Sequence, residues 1–120
     1  MKQASVKERV FSLIEQTQDE LIELTSQLVK FPSLFLEEEE AQRYIADRLK
    51  AMGPDDLDVW YPDIDELRQH PAYCSSRTDF STSPVVVGTF RGTGGGRSVI
   101  LNGHVDVVPA GDGWDDSPWS

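Results

Sequence analysis

Cysteine is almost absent from this sequence of 120 residues. Cys74 is the only one, so the chain can form no internal disulfide and does not resemble a secreted protein built on a disulfide framework. A lone cysteine beside Tyr73, with no base near it in the sequence, is typical of a small core residue rather than a nucleophile. We therefore predict that Cys74 is buried and has no catalytic role.

Positive charge and long apolar runs are also scarce. The chain has 11 Lys and Arg against 21 Asp and Glu, a formal net charge of -10 that would repel a phosphate backbone. No apolar run approaches the ~20 residues that a membrane helix needs, and residues 1–9 lack the apolar stretch of a secretory signal. These absences predict a cytoplasmic protein that binds neither nucleic acid nor membrane.

The first 31 residues of the chain have the apolar periodicity of an amphipathic helix. Apolar residues recur in steps of three and four from Val6 to Leu28. Ser5 and Glu8 have the spacing of a capping box, and the pattern ends before Pro32, which disfavours helix in the preceding residue. We expect one helix here that covers one face of a core.

A second amphipathic pattern follows between residues 37 and 52. It begins with the run Glu37 to Glu40, where the positive end of a helix dipole favours carboxylates, and we expect this run to be solvated. It ends at Met52-Gly53-Pro54, with the glycine suited to the left-handed position that closes a helix. The sequence therefore predicts a second helix.

Three later segments are predicted to be strands: residues 57–61, 85–90 and 98–102. The last is a continuous apolar run, which indicates burial on both faces. The glycine-rich residues 91–97 lead into a strand and not into a helix, so they favour a hairpin connection over a phosphate-binding loop. Helices and strands together predict an α/β fold, with helices packed on a mixed sheet.

Residues 62–83 form a long irregular connection between the first two predicted strands. Prolines, aspartates and serines interrupt any period in it, apart from a short turn of helix predicted around Ile64 to Gln69. His70 lies in this connection beside Pro71, and we predict that it is a surface residue without a catalytic role. Such long connections are often functional.

The segment with the clearest chemical content is Asn102 to Pro109. In an extended chain, residues i and i+2 point to the same side, so His104 and Asp106 share a face and Val105 points away. Imidazole is a common zinc ligand, and an acceptor on its second nitrogen fixes its tautomer and direction. Gly103 lets the chain bend just before the histidine. A buried histidine paired with a local carboxylate in a structural role fits the same spacing.

One histidine does not make a metal site. Catalytic zinc usually takes three protein ligands and leaves one position for water. Neither His70 nor Cys74 has a spacing that completes such a set with His104. The residues by themselves therefore predict half of a metal site at most.

The end of the chain resembles a known motif. Residues 98–109, followed by Gly113-Trp114 and Pro118-Trp119, are similar to the first metal-binding motif of the M20 metallopeptidase family. That family includes acetylornithine deacetylases, succinyl-diaminopimelate desuccinylases, aminoacylases and carboxypeptidases. Residues 70–73 and 77–80 resemble its deacylase-like branch. Trp119 stands where the family more often has phenylalanine, which keeps an aromatic side chain.

The resemblance implies a role for each residue of the pair. His104 matches the family's first metal ligand, and Asp106 matches the aspartate that holds that imidazole and counts among the catalytic residues. It also implies two divalent ions, zinc first, with cobalt and manganese as alternatives. The bridging aspartate, the glutamate base, the later ligands and the dimerisation domain of the family have no counterpart here. We therefore expect residues 1–120 to be the N-terminal part of a zinc-peptidase-like catalytic domain.

The function that follows is metal-dependent hydrolysis of an amide bond. The resemblance favours deacylation of an N-acyl amino acid or a similar small amide by a full-length enzyme, which would be a homodimer. A dipeptidase or carboxypeptidase of the same family is one alternative. Another is a truncated, non-catalytic binding module. We expect the 120 residues alone to be inactive and to bind metal weakly.

Overall fold

The computed structural model describes residues 4–120 of the chain. Its elements, in order, are helices α1 (Val6–Gln16), α2 (Gln18–Val29) and α3 (Glu39–Ala51), strand β1 (Asp56–Trp60), helix α4 (Ile64–Leu67) and strand β2 (Val85–Thr89). They fall into two compact units. One holds the residues up to Phe31 together with Trp114–Ser120, and the other holds Pro32–Gly113. No helix within residues 4–120 is long and apolar enough to cross a membrane.

The start of α1 confirms the predicted capping box. The Glu8 backbone N–H donates to the Ser5 hydroxyl at 3.3 Å, and the Ser5 backbone N–H donates to the Glu8 carboxylate at 2.7 Å. Two N–H groups at the start of the helix are thereby satisfied by side chains. The hydrogen bond from the Ser5 backbone also lowers the pKa of Glu8.

The single N-terminal helix predicted from the sequence is divided at Thr17. Its hydroxyl donates to the carbonyl of Leu13 at 3.0 Å, and its backbone (φ -99°, ψ 10°) leaves the helical region. Two shorter helices, α1 and α2, therefore replace one long one.

The expectation that this helical segment covers a core is wrong for the structure described. None of the residues of α1 or α2 is buried. Their apolar stripe includes several exposed side chains, among them Val6, Val10, Leu13, Ile14, Leu21 and Ile22. The periodicity correctly placed these side chains on one face, but periodicity does not supply the partner that would cover it.

The second predicted helix is confirmed as α3. It ends before Gly53, whose φ of 69° lies in the left-handed region that favours glycine. Its Leu49 side chain packs on β2 at Gly88, where a Cβ atom would stand 3.4 Å from a Leu49 methyl carbon. A methyl group at Gly88 would therefore just reach van der Waals contact with the helix.

Two of the three predicted strands form a sheet. β1 and β2 pair antiparallel, with Asp56 opposite Thr89 and Trp60 opposite Val85. Helix α3 contacts both strands. The α/β class predicted from the sequence is thus confirmed, and the sheet described here has two strands that are separated by a long connection in the chain.

The third predicted strand and its hairpin are wrong. Residues 98–102 have no regular secondary structure, and Val99, Ile100 and Leu101 are 79%, 90% and 92% exposed. A strand that is buried on both faces needs neighbours at its edges and layers above and below it. Within the described residues, β2 pairs with β1 instead, so residues 98–102 have neither.

The expectation of a fully solvated glutamate run is wrong at Glu38. This side chain is buried, and its carboxylate receives two bonds from Arg77, from Nη1 at 2.9 Å and from Nη2 at 3.2 Å. Ser83 hydrogen-bonds to both partners. Burial acts to raise the pKa of Glu38, but the bonds from Arg77 and Ser83 outweigh it and hold the pKa below 4.5.

Arg77 also organises the long connection between β1 and β2. Its guanidinium lies 5.0 Å from the ring centre of Phe35 and 4.8 Å from that of Phe80. Its Nε donates to the carbonyl of Asp79 at 2.7 Å, and its own carbonyl accepts from the Tyr73 hydroxyl at 2.7 Å. The Arg77 side chain thereby links the second half of this connection to Phe35 and Glu38, which precede β1.

Cys74 is exposed, so the prediction that it lies in a core is wrong. The neighbouring Tyr73 is half-buried, and its hydroxyl donates a hydrogen bond to the Arg77 carbonyl.

Candidate metal centre

The segment that carries His104 and Asp106 has no regular secondary structure, and it is held by hydrogen bonds to Ser33. The Ser33 hydroxyl donates to the carbonyl of Val105 at 2.5 Å. The Ser33 carbonyl accepts from the Val107 N–H at 3.0 Å. Both bonds lie inside the unit formed by Pro32–Gly113. Backbone groups on either side of Asp106 therefore bind the same buried serine.

The structure brings His104 and Asp106 into contact. Nδ1 of the imidazole lies 2.9 Å from Oδ1 of the carboxylate and 3.3 Å from the Asp106 carbonyl oxygen. Their side chains are 80% and 58% exposed, whereas Val105 between them is half-buried. The alternation expected from the i, i+2 spacing is thus present without a regular strand.

The contact between His104 and Asp106 affects which imidazole nitrogen is available to bind a cation. A carboxylate beside Nδ1 favours the tautomer that carries its proton there, which leaves the lone pair on Nε2 free. Neutral imidazole with an oriented second nitrogen suits zinc. The residues present therefore fit a divalent metal at one coordination position.

That single position is all that the described residues provide. Within residues 4–120, no group of three or more His, Cys, Asp or Glu side chains lies close enough to hold a metal ion. His70 is exposed, as predicted, and its Nδ1 accepts from the Ala72 N–H at 3.2 Å. Neither His70 nor the exposed Cys74 hydrogen-bonds to His104 or Asp106 in the described structure.

The exposure of the pair determines what can hold it in place. Ion pairs between solvated groups contribute little to stability because water competes for both partners. The 2.9 Å contact of His104 with Asp106 therefore depends on the backbone beneath it. That backbone is held by Ser33, which is only 2% exposed.

Sequence reasoning missed both Ser33 and the Glu38–Arg77 pair. Ser33 and Val105 are 72 positions apart in the chain, and Glu38 and Arg77 are 39 apart. No spacing rule links residues at such distances. The sequence drew attention only to Pro32, as the residue before which a helical pattern ends, and this gives no sign of the partner of Ser33.

Comparison with known proteins reveals a similarity to a metallodipeptidase. The chain is 27% identical over 119 residues to the Cys-Gly metallodipeptidase DUG1 of Candida albicans, in an alignment that covers 92% of this chain and 23% of that protein. The chain thus spans about a quarter of the length of this relative. No family model matches the chain, and no solved structure matches it significantly. The similarity supports a relationship to metal-dependent peptidases at family level and leaves the subfamily open.

Proposed function

We propose that this chain is the N-terminal part of the catalytic domain of a metal-dependent amide hydrolase and supplies its first metal ligand. The observation that carries the proposal is the 2.9 Å contact between His104 Nδ1 and Asp106 Oδ1, which leaves Nε2 exposed. Similarity to a metallodipeptidase supports the reaction class. The rest of the metal site would come from residues beyond those described here.

In this proposal, Asp106 acts through His104. Its carboxylate accepts the Nδ1 proton, fixes the direction of the ring and increases the basicity of Nε2. His104 Nε2 would then hold a divalent ion, zinc first and cobalt or manganese as alternatives. Such an ion polarises an amide carbonyl and lowers the pKa of bound water toward neutrality. Neither residue needs to move a proton during the reaction to fulfil these roles.

Two substrate classes compete for this site. The resemblance of residues 70–73 and 77–80 to the deacylase-like branch favours an N-acyl amino acid, which would be cleaved to a carboxylic acid and an amine. The name of the matched relative, a Cys-Gly metallodipeptidase, favours a dipeptide instead. The two are distinguished by the ratio of kcat/KM for N-acyl amino acids to that for dipeptides, measured on the gene product that contains this chain.

The metal ligand can be tested on the chain itself, because its two histidines provide an internal control. Substoichiometric Co²⁺ is added to the chain, and the paramagnetic broadening of the imidazole C–H signals is followed by NMR. We expect the signals of His104 to broaden before those of His70, and this preference to disappear in Asp106→Ala. Equal broadening of the two rings in the unmodified chain would contradict the proposed ligand.

A further inference from the structure

Ser33 occupies an unusual position relative to the candidate metal centre. It is 2% exposed and is the middle residue of a tight turn, closed by the Leu34 N–H and the Pro32 carbonyl at 2.7 Å. From there it binds Val105 through its hydroxyl and Val107 through its carbonyl. A buried hydroxyl with a single hydrogen bond to a distant backbone carbonyl points to a positioning role.

We propose that Ser33 is a positioning residue that sets the backbone of Asp106 and, through it, the direction of the His104 imidazole. The Val105 carbonyl belongs to the peptide plane before Asp106, and the Val107 N–H belongs to the plane after it. Only φ and ψ of Asp106 separate these two planes. Two bonds from one residue, at 2.5 and 3.0 Å, therefore fix both dihedral angles of Asp106.

The imidazole depends on the same two planes. His104 Nδ1 contacts the Asp106 carboxylate at 2.9 Å and the Asp106 carbonyl at 3.3 Å. Rotation of either plane moves one of these oxygens away from the ring. Because the pair is exposed, water replaces the lost partner at little cost, and the ring then has no preferred direction. The consequence of Ser33 for a metal rests on the proposed function, whereas its effect on the His104 ring does not.

Ser33→Ala separates this role from a contribution to general stability. The Val105 carbonyl belongs to a half-buried residue, so water can satisfy it once the hydroxyl is gone. We expect exchange of the Val107 amide hydrogen to accelerate roughly three- to ten-fold and the thermal midpoint to fall by only a few degrees, since both report the loss of one hydrogen bond. We also expect the His104 tautomer, read from ¹⁵N chemical shifts, to move toward a mixture while that of His70 stays unchanged.

Matched variants show whether the hydroxyl is responsible. Ser33→Thr keeps the hydroxyl and should restore the unmodified values of both readouts. Ser33→Val introduces a side chain close in shape to threonine but without the hydroxyl, and it should behave as Ser33→Ala. If Ser33→Ala unfolds the chain, Ser33→Val can be compared with Ser33→Thr instead. Ser98→Ala, at an exposed position in the same unit, serves as the control for loss of a serine.

Each outcome either supports or overturns the proposal. Faster Val107 exchange and a His104 tautomer change in Ser33→Ala, both reversed in Ser33→Thr, support it. An unchanged His104 tautomer in both Ser33→Ala and Ser33→Val overturns it. Co²⁺ broadening distinguishes the two proposals: no preference for His104 in the unmodified chain removes the metal ligand but leaves the positioning result intact. Equal preference in the unmodified chain and in Ser33→Ala, together with an unchanged His104 tautomer, keeps the ligand and overturns the positioning role.

Discussion

Replacing Arg77 with alanine removes the partner of a buried carboxylate. Arg77 and Glu38 form a two-bond pair, and their side chains are only 16% and 5% exposed. In Arg77→Ala, Glu38 keeps the Ser83 hydroxyl but loses its counter-charge. The contacts of the guanidinium with Phe35 and Phe80 are lost as well. The carboxylate must then remain charged without a partner, take up a proton or move into water.

The burial of the Glu38–Arg77 pair determines how much stability Arg77→Ala is expected to lose. Removing one partner of a buried ion pair costs about 3–5 kcal/mol, because the remaining charge is left uncompensated. This is a large share of the ~5–15 kcal/mol that stabilises a typical domain. The pair of Arg43 and Glu39 provides the control, with a 2.6 Å contact but side chains 67% and 33% exposed. Arg43→Ala should have a much smaller effect, since water already solvates both charges.

Urea unfolding, monitored by circular dichroism, measures the free energy of unfolding of each variant. The free energy of unfolding should fall far more in Arg77→Ala than in Arg43→Ala. If Arg77→Ala is already unfolded without urea, Glu38→Gln/Arg77→Met retains the test, because removal of both charges should recover much of the loss. Equal losses in Arg77→Ala and Arg43→Ala would refute the reasoning that burial makes the Glu38–Arg77 pair matter.

Three further predictions follow from the same structure. The folded-state pKa of Glu38 is lowered, so its stabilising contribution is fully present above its usual pKa of 4.5 and is lost as pH falls through the lower folded-state value. Urea unfolding from pH 6 downward should show this loss. The loss should be smaller in Glu38→Gln, in which Glu8, Glu39 and Asp79 keep their lowered pKa values. At Gly88, a Cβ atom would stand 3.4 Å from Leu49, which is ordinary contact, so Gly88→Ala should be tolerated. Gly88→Val should lose about 1–3 kcal/mol of unfolding free energy through overpacking. Equal unfolding free energies for the two variants would contradict the close approach of α3 to β2. Ile100 is 90% exposed and lies in an apolar run. Ile100→Lys should therefore raise the protein concentration at which light scattering detects aggregation. An unchanged concentration would mean that this run does not drive association.

Local signals in the sequence predicted local structure well. The capping box of Ser5 and Glu8, the end of α3 before Gly53 and the surface position of His70 each depend on a few neighbouring residues. The spacing of His104 and Asp106 likewise predicted that their side chains could meet, because residues i and i+2 lie on the same side of an extended chain. Their role toward a metal stays a proposal.

Patterns that depend on distant partners were predicted poorly. The apolar run at 98–102 has the composition of a buried strand, yet its residues are exposed because no described strand pairs with it. Apolar composition indicates which side chains gain from burial and does not indicate what will bury them.

The sequence by itself determined the α/β class, most helix and strand positions and the pairing of His104 with Asp106, because each follows from backbone periodicity and short-range bonds. Only the tertiary structure decided that β1 pairs with β2, that Glu38 is buried against Arg77 and that Ser33 holds the backbone around Asp106. These contacts join residues 25 to 33 positions apart in the sheet, 39 apart in the ion pair and 72 apart at Ser33. No repeat or spacing in the sequence encodes such distances, since they result from how the whole chain packs.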